Sequence, residues 1–303
     1  MGAQSEDAAT VALQQAQADY LREALPDAVI RPVAWSAGKT QVIEVGAGPP
    51  VLLLHGGLGD AFQWAPLMAR LSGRWRLLAV DRPGHGLADP FDHRAEPLLT
   101  TARRFVGEVL NSQGLGEVRV VANSMGGLWA SAFALEHPER VERLVLVGSP
   151  AGIARPIPPM LRLGMLPGLN RVVRAAMAKP TAKSVRGFWK LLVAHPERLP
   201  DSLVAASVAS QARNHRSWFG LLDASVDAGG MRPEVMLEDG WSRLQPPTTF
   251  IWGDRDAWAD IRHAEAIVAA SPGAKLVRIS GAGHGPWFDE PEATARAVAA
   301  ALG

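Results

Sequence analysis

Val118-Arg-Val-Val-Ala-Asn-Ser-Met-Gly-Gly-Leu-Trp-Ala130 changes character at its middle. Residues of buried-strand type run up to Ala122, and an apolar run with helical character begins at Met125. Between them, Ala122-Asn-Ser-Met-Gly126 is a small-x-Ser-x-Gly turn, the form of a nucleophile elbow with Ala where the first Gly is more usual. A serine on so sharp a strand-to-helix turn needs small residues two places before and after it, because larger side chains would collide. Ala122, Gly126 and Gly127 meet that need. The turn is expected to lift the Ser124 hydroxyl clear of a sheet and to set the Met125 amide, at a helix start, where a developing oxyanion would lie. The plainer expectation for the same residues is a helix N-cap, a position serine favours.

Working outward, residues 50–55 are a continuous apolar run, as a parallel strand covered on both faces requires. A helix is predicted over 62–71, a strand over 74–80 ending at Asp81, a helix over 99–113, and a strand over 141–147 ending at Gly148-Ser-Pro150. This alternation predicts an α/β class: a doubly wound, mostly parallel sheet with right-handed crossovers. It stops near residue 151 and resumes with a strand at 247–252, a helix at 257–270, a strand at 274–279 and a helix at 290–302. The interval holds Pro156, Pro158, Pro159, Pro167 and Pro180 and apolar segments at helical spacing, with no clear strand; it reads as an inserted helical lobe. Ahead of the sheet, residues 7–25 form an amphipathic helix whose apolar members are Val11, Leu13, Tyr20, Leu21 and Leu25, expected to sit on the body or on a neighbour. Residues 29–35 and 40–45 read as an antiparallel edge hairpin. The expected division is an appendage at 1–28, a core at 29–151 and 244–303, and the lobe at 152–243.

The 303 residues are 48% hydrophobic and 20% charged, enough for one large core or a core with a lobe. A formal net charge of +1 gives no strong field toward nucleic acid or membrane. With no cysteine, disulfides, zinc–thiolate sites and a cysteine nucleophile are excluded. The N-terminus lacks a basic region followed by an apolar run, and no apolar stretch is long enough to span a bilayer. The expectation is a cytoplasmic protein, monomer or homodimer, acting on a small molecule without metal or cofactor. Abundant alanine and more arginine than lysine suggest a high-G+C bacterium.

Reactive groups in a doubly wound sheet collect beyond the carboxyl ends of the strands, and four such ends carry suggestive residues. A serine hydroxyl needs a base within hydrogen-bond reach, and the base needs an orienting acid. His284, in the glycine-flanked Gly281-Ala-Gly-His284 loop, is placed to reach Ser124. Asp256, in Gly253-Asp-Arg-Asp256 after the preceding strand, is placed to hold the other ring nitrogen. Asp254 lies too near its strand end and Asp260 is expected inside the following helix. Gly57, in His55-Gly-Gly-Leu58, offers the second oxyanion amide beside that of Met125, with His55 holding the loop. The glycines of Asp81-Arg-Pro-Gly-His-Gly86 lack the lysine and spacing of a phosphate loop, so His85 reads as a surface or packing residue.

These motifs, together with Trp252-Gly-Asp-Arg-Asp256 and Gly283-His284, resemble those of α/β-hydrolase-fold enzymes of the capped bacterial type. The resemblance covers about residues 32–151 and 246–302. It implies a Ser124–His284–Asp256 triad, Gly57 and Met125 as oxyanion amides, and a variable cap over the lobe. The elbow Asn123-Ser-Met-Gly-Gly127 is similar to that of meta-cleavage-product hydrolases, which cleave a C–C bond. Those enzymes carry Trp directly after the histidine, where this chain has Gly285. A cofactor-free serine hydrolase of a carboxylic ester or lactone of a small, largely apolar substrate is therefore expected first, a C–C hydrolase or a non-hydrolytic enzyme of the same fold second, and a binder without turnover third. Leu58, Trp189, Trp218 and Trp287 are expected to line the substrate pocket, while Met160, Met165 and Met177 need no role beyond packing. The lobe, over residues 153–243, has 13 Arg and Lys against 7 Asp and Glu, consistent with a solvated surface or, more sharply, an anionic substrate.

Overall fold

Eight strands form one sheet in the order β1 (Val29–Trp35), β2 (Gly38–Val45), β4 (Arg76–Val80), β3 (Pro50–Leu54), β5 (Val118–Ala122), β6 (Val141–Val147), β9 (Thr248–Gly253) and β10 (Lys275–Ile279) in this computed structural model, which describes residues 2–166 and 168–303 and, of residues 2–7, 160, 163 and 164, the backbone alone. Pro167 and the Met160 side chain thus lie outside the described residues. β2 runs antiparallel to both β1 and β4, and every other neighbouring pair is parallel. The fold is the expected α/β one.

The sheet is buried on both faces because successive side chains point opposite ways. Leu52, Leu54, Val120 and Leu146 share one core with helices α3 (Leu98–Ser112) and α4 (Met125–Glu136). Val51, Leu53, Val121 and Val145 share the other with α1 (Gly2–Ala24), α2 (Ala65–Leu71) and the C-terminal helix (Pro291–Leu302). Each such side chain contributes about 1.5–3 kcal/mol by leaving water. α3 buries Leu98, Thr101, Ala102, Phe105, Val106 and Val109, one stripe at helical spacing. α4 is buried on nearly every side, as its unbroken apolar sequence demands.

Between β6 and β9 the chain forms α5 (Pro159–Gly164), α6 (Leu169–Met177), α7 (Ala182–Trp189) and the long α8 (Asp201–Ser225). The absence of strands expected there is corrected by a small hairpin, β7 (Val226–Asp227) and β8 (Gly230–Met231); two-residue strands are too short to show a period. α1 lies along α8 and touches α2. Leu13, Tyr20, Leu21 and Leu25 are buried, but Val11 is 62% exposed. The inner face instead takes Gln17, whose side-chain oxygen accepts from Gln41 Nε2 at 2.9 Å.

After β9 the helix expected from residue 257 starts later, as α9 (Arg262–Ala270). Asp260 is outside it, with Oδ1 accepting the Arg262 N–H at 2.9 Å. Residues 254–261 are thereby left as a loop long enough to turn an acid toward the neighbouring strand end.

Candidate active site

β3 has β4 on one side and β5 on the other, so the chain switches direction across the sheet at that point. A crevice opens at the carboxyl ends of strands so arranged. Ser124 stands there with φ 52° and ψ −117°, a region that non-glycine residues rarely occupy and that costs of order 1–3 kcal/mol. The surroundings hold it: the Asn123 N–H donates to Leu54 O at 3.0 Å and the Ala151 N–H to Ser124 O at 3.0 Å. Ser124 occupies the N-cap position of α4, but its side chain accepts no capping hydrogen bond there. Gly126 is fixed by contact: a Cβ there would lie 2.3 Å from Leu54 O and 2.6 Å from His55 O.

His284 and Asp256 meet. The His284 Nδ1 is 2.9 and 3.1 Å from the two Asp256 oxygens, with side chains 3% and 0% exposed. Burial pushes the Asp256 carboxyl up, but the His284 ring and N–H donors from Trp258 (2.8 Å) and Ser149 (2.9 Å) outweigh it and hold the group below its ordinary value. The carboxylate is therefore ionised at neutral pH, which assigns the ring proton to Nδ1 and leaves Nε2 free to accept. Among the described residues no hydrogen bond joins Ser124 to the His284 ring, although both line one cavity; such contacts are often long until substrate is bound. The competing acids are occupied elsewhere. Asp254 accepts from the Gly281 N–H at 2.8 Å and Ser280 Oγ at 3.1 Å, and Asp260 pairs with Arg262.

Three neighbours were not singled out from the sequence. Ser149 Oγ lies 3.1 Å from His284 Nδ1. Its signal was available, as the one polar side chain of Gly148-Ser-Pro150 at the end of a strand flanking β5. Asn123 Nδ2 donates to Val147 O at 2.7 Å and His284 O at 3.2 Å, tying the elbow to the histidine loop. Trp258 stacks on the His284 ring at 5.1 Å and donates through Nε1 to Leu191 O at 2.8 Å; the early helix expected at 257 hid it.

The loop after β3 is held from below by buried polar groups. His55 Nε2 accepts the Arg82 N–H at 2.9 Å, and the Arg82 guanidinium donates to His55 O at 3.1 Å and Gly56 O at 2.6 Å. Burial, with Arg82 close by, drives His55 well below its ordinary value and keeps it neutral. A His85 ring nitrogen is 2.6 Å from Gly57 O. His85 is fully buried, a packing residue and no surface one.

Beneath Arg82, two buried carboxyls divide the charge. Asp81 accepts from the Ala61 N–H (2.8 Å), Gln41 Nε2 (2.7 Å) and the Leu87 N–H (2.9 Å). Asp60 Oδ1 accepts from the Gly86 N–H at 2.6 Å, with the Ser210 side chain also against the carboxyl. Burial and the Asp81 charge push Asp60 up to about 7, and burial raises Asp81 to about 6, so the pair holds protons more tightly than free carboxyls do, with Asp60 the higher of the two. A folded pKa above the unfolded value of about 3.9 means stability that is complete below that value and lost as pH rises through the folded one. Asp60→Asn is expected to keep the acid-side stability and to flatten its decline between about pH 4 and pH 8. Asp81→Asn, which turns a donor toward donors, is expected to cost about 1–3 kcal/mol at pH 7. Urea unfolding of both variants across that range checks the division.

Above Ser124 and His284 lies a cavity of about 110 Å³. Ile153, Ile157, Leu161, Phe188 and Leu221 line it from the segment after β6, and Gly57, Leu58, Met125, Ser149 and Trp258 from the strand-end loops and the start of α4. Among the described residues no Arg, Lys, Asp or Glu lines it, so the cations of the 153–243 segment do not reach it and the anionic-substrate expectation is corrected. Leu58 is among the lining residues, and Trp189, Trp218 and Trp287 are not. Trp287 stacks on Trp64 at 4.4 Å and donates to Gln63 O at 2.9 Å. Trp189 packs edge-on to Phe288 at 5.0 Å, and Trp218 lies over His85 at 6.1 Å. Each indole fills core behind the cavity, and smaller residues face the opening.

Residues 49–291 match the alpha/beta hydrolase fold family. The chain is 30% identical over 275 residues to 2-hydroxy-6-oxononadienedioate/2-hydroxy-6-oxononatrienedioate hydrolase of Cupriavidus pinatubonensis, over 86% of this chain and 89% of that one. It is 27% identical over 257 residues to pimeloyl-(acyl-carrier protein) methyl ester esterase of Aeromonas hydrophila, over 83% and 94%. Carboxylesterase CesB of Bacillus subtilis has the same fold, with a TM-score of 0.78 at 24% identity over 97% and 98% of the two chains.

Proposed function

The chain belongs to the α/β-hydrolase-fold family, and from that premise we propose that it is a cofactor-free serine hydrolase cleaving a small, largely apolar carboxylic ester or lactone through an acyl-enzyme. His284 Nε2 takes the proton of Ser124 Oγ as the oxygen attacks the carbonyl carbon. The Gly57 and Met125 amides receive the oxyanion, and Asp256 supports the imidazolium through Nδ1. The ring then protonates the leaving alkoxide, and water, activated by the same base, releases the acid from Ser124. Residues 152–243 serve as the cap that shapes the cavity, and residues 1–28 as an appendage bracing cap against core.

One observation carries this reading: His284, backed by the buried Asp256, and a serine on a strained turn line one cavity, which among the described residues has no Arg, Lys, Asp or Glu on its wall. The Cupriavidus relative is named for dioates. A carboxylate drawn into an uncharged cavity would lose hydration with no cation to replace it, so that relative's substrate class fits poorly. The pimelyl ester named for the Aeromonas relative presents the bond type proposed here. A panel of p-nitrophenyl esters of rising chain length, a γ-lactone and 2-hydroxy-6-oxo-6-phenylhexa-2,4-dienoate tests this. Neutral esters or the lactone are expected to exceed the dienoate in kcat/KM by at least about 100-fold, the scale of an unpaired buried charge. A preference for the dienoate would transfer the assignment to C–C hydrolysis, and binding with no product would make the chain a receptor.

A further inference from the structure

Between residues 151 and 196 the sequence has eight Arg and Lys and no Asp or Glu. The hydrolytic site uses none of these cations, since none lines the cavity. Arg174 and Arg186 are neutralised by Asp223 and Asp201, while Arg155 and Arg162 donate to Met231 O and Ala228 O. Arg171, Lys179, Lys183 and Lys190 are exposed and make no ion pair among the described residues. The net charge of +1 conceals this patch, because the balancing carboxylates lie elsewhere in the chain.

α6 lies within this run and buries no residue. Leu169 is 37% exposed, Val172 64%, and Leu166 just ahead of the helix 41%. Val172 is the most exposed large apolar side chain among the described residues. Within the helix Leu169, Val172 and the exposed Ala176 follow one another at spacings of three and four, which sets them on one side of it, and the exposed Leu166 precedes them in the chain. A surface helix ordinarily turns that stripe inward. Here it meets water, with the exposed Arg171 on the same helix and Lys179 two residues past its end, the pattern of a helix that lies in a membrane interface.

We propose that this outer face of α6 docks the protein on an anionic lipid surface. Leu166, Leu169 and Val172 enter the headgroup region, and Arg171, Lys179, Lys183 and Lys190 meet lipid phosphates. A second copy of the same face is disfavoured by its own charge, and an acidic protein would satisfy the cations without any need for the protruding Leu and Val. α5 and α7, on either side of α6 in the chain, supply Leu161 and Phe188 to the cavity wall. Docking would therefore bring the cavity beside the phase into which apolar esters partition. The contact is one of surface only, as no described helix is long and apolar enough to cross a membrane.

Co-sedimentation of the full chain with phosphatidylcholine vesicles, with and without phosphatidylglycerol, tests the proposal. Binding is expected only with phosphatidylglycerol and is expected to weaken as salt is added. Arg171→Glu with Lys179→Glu is expected to lower the partition coefficient by about tenfold or more, each cation near an anionic surface being worth about fivefold. Val172→Asp is expected to lower it too, and both variants should hydrolyse soluble p-nitrophenyl butyrate at the unaltered rate. No binding to phosphatidylglycerol vesicles would overturn the proposal. So would binding that Val172→Asp leaves intact, which denotes a bare charge patch, or displacement by soluble polyglutamate at lower charge concentration than lipid, which assigns the face to an acidic protein. Binding is read without turnover, so it stands or fails separately from the hydrolase assignment.

Discussion

Ser124→Ala is expected to lower kcat/KM for a neutral ester by about 10⁴-fold or more, with the urea midpoint nearly unchanged. The substitution removes one oxygen that α4 does not use as a cap and retains the backbone bonds that hold the turn. Stability and activity should therefore separate completely. The chemical loss is large because Ser124 forms the bond to carbon, and what survives is the rate that a fixed cavity and oxyanion amides give to water alone. A structural serine would behave in the opposite way, with a modest shift in stability and turnover largely kept. Purified variant and parent, compared by ester hydrolysis and urea titration on the same samples, decide between them.

Asp256→Asn is expected to cost about 10³–10⁴-fold in kcat/KM. Asp256 accepts at once from His284 Nδ1, the Ser149 N–H and the Trp258 N–H. An amide has one accepting oxygen, so at least one of these donors would face an NH₂ group. If His284 responds by moving its proton to Nε2, the ring presents a donor to Ser124 and ceases to be a base. The same change alters the acid limb of stability. Asp256 is held below its ordinary value, so it contributes stability that is present above the unfolded pKa of about 3.9 and is lost as pH falls through the lower folded one. In Asp256→Asn that acid-side loss should disappear from the difference between urea curves at neutral pH and near pH 3. Unchanged turnover in this variant would remove Asp256 from the proposed chemistry.

Much of the fold was legible because its constraints are local. A strand covered on both faces must read as an apolar run, as Val51-Leu-Leu-Leu54 does, and an elbow must have small residues around its serine, as Gly126 against Leu54 O makes concrete. His284 and Asp256 could be paired because strand order fixes which loop ends lie side by side. The cavity wall was not legible, since it depends on how side chains of the 152–243 segment turn. Trp189 was chosen and its neighbour Phe188 faces the opening instead, a difference of one residue that on a helix is a rotation of about 100°. Trp218 and Trp287 are buried behind the cavity, as large indoles fill core where backbone packs around them. Ser149 reaches the same ring nitrogen from the end of β6, but a lone strand-end serine does not show in sequence which ring it faces. The outward Leu and Val of α6 were hidden for another reason: amphipathic spacing gives a stripe but not the side on which a partner stands.

The most direct measurement is to inactivate the protein with a fluorophosphonate and map the adduct by peptide mass spectrometry. Three serines line the cavity, Ser124, Ser149 and Ser225; Ser149 lies against the His284 ring and Ser225 donates its hydroxyl to Leu221 O at 2.7 Å, while Ser124 alone of the three is set on the strained turn. One adduct on the Ser124 peptide, forming in step with the loss of ester hydrolysis, is the predicted result. An adduct on Ser149 instead, or ester hydrolysis that persists in a protein carrying the label at Ser124, would contradict the account.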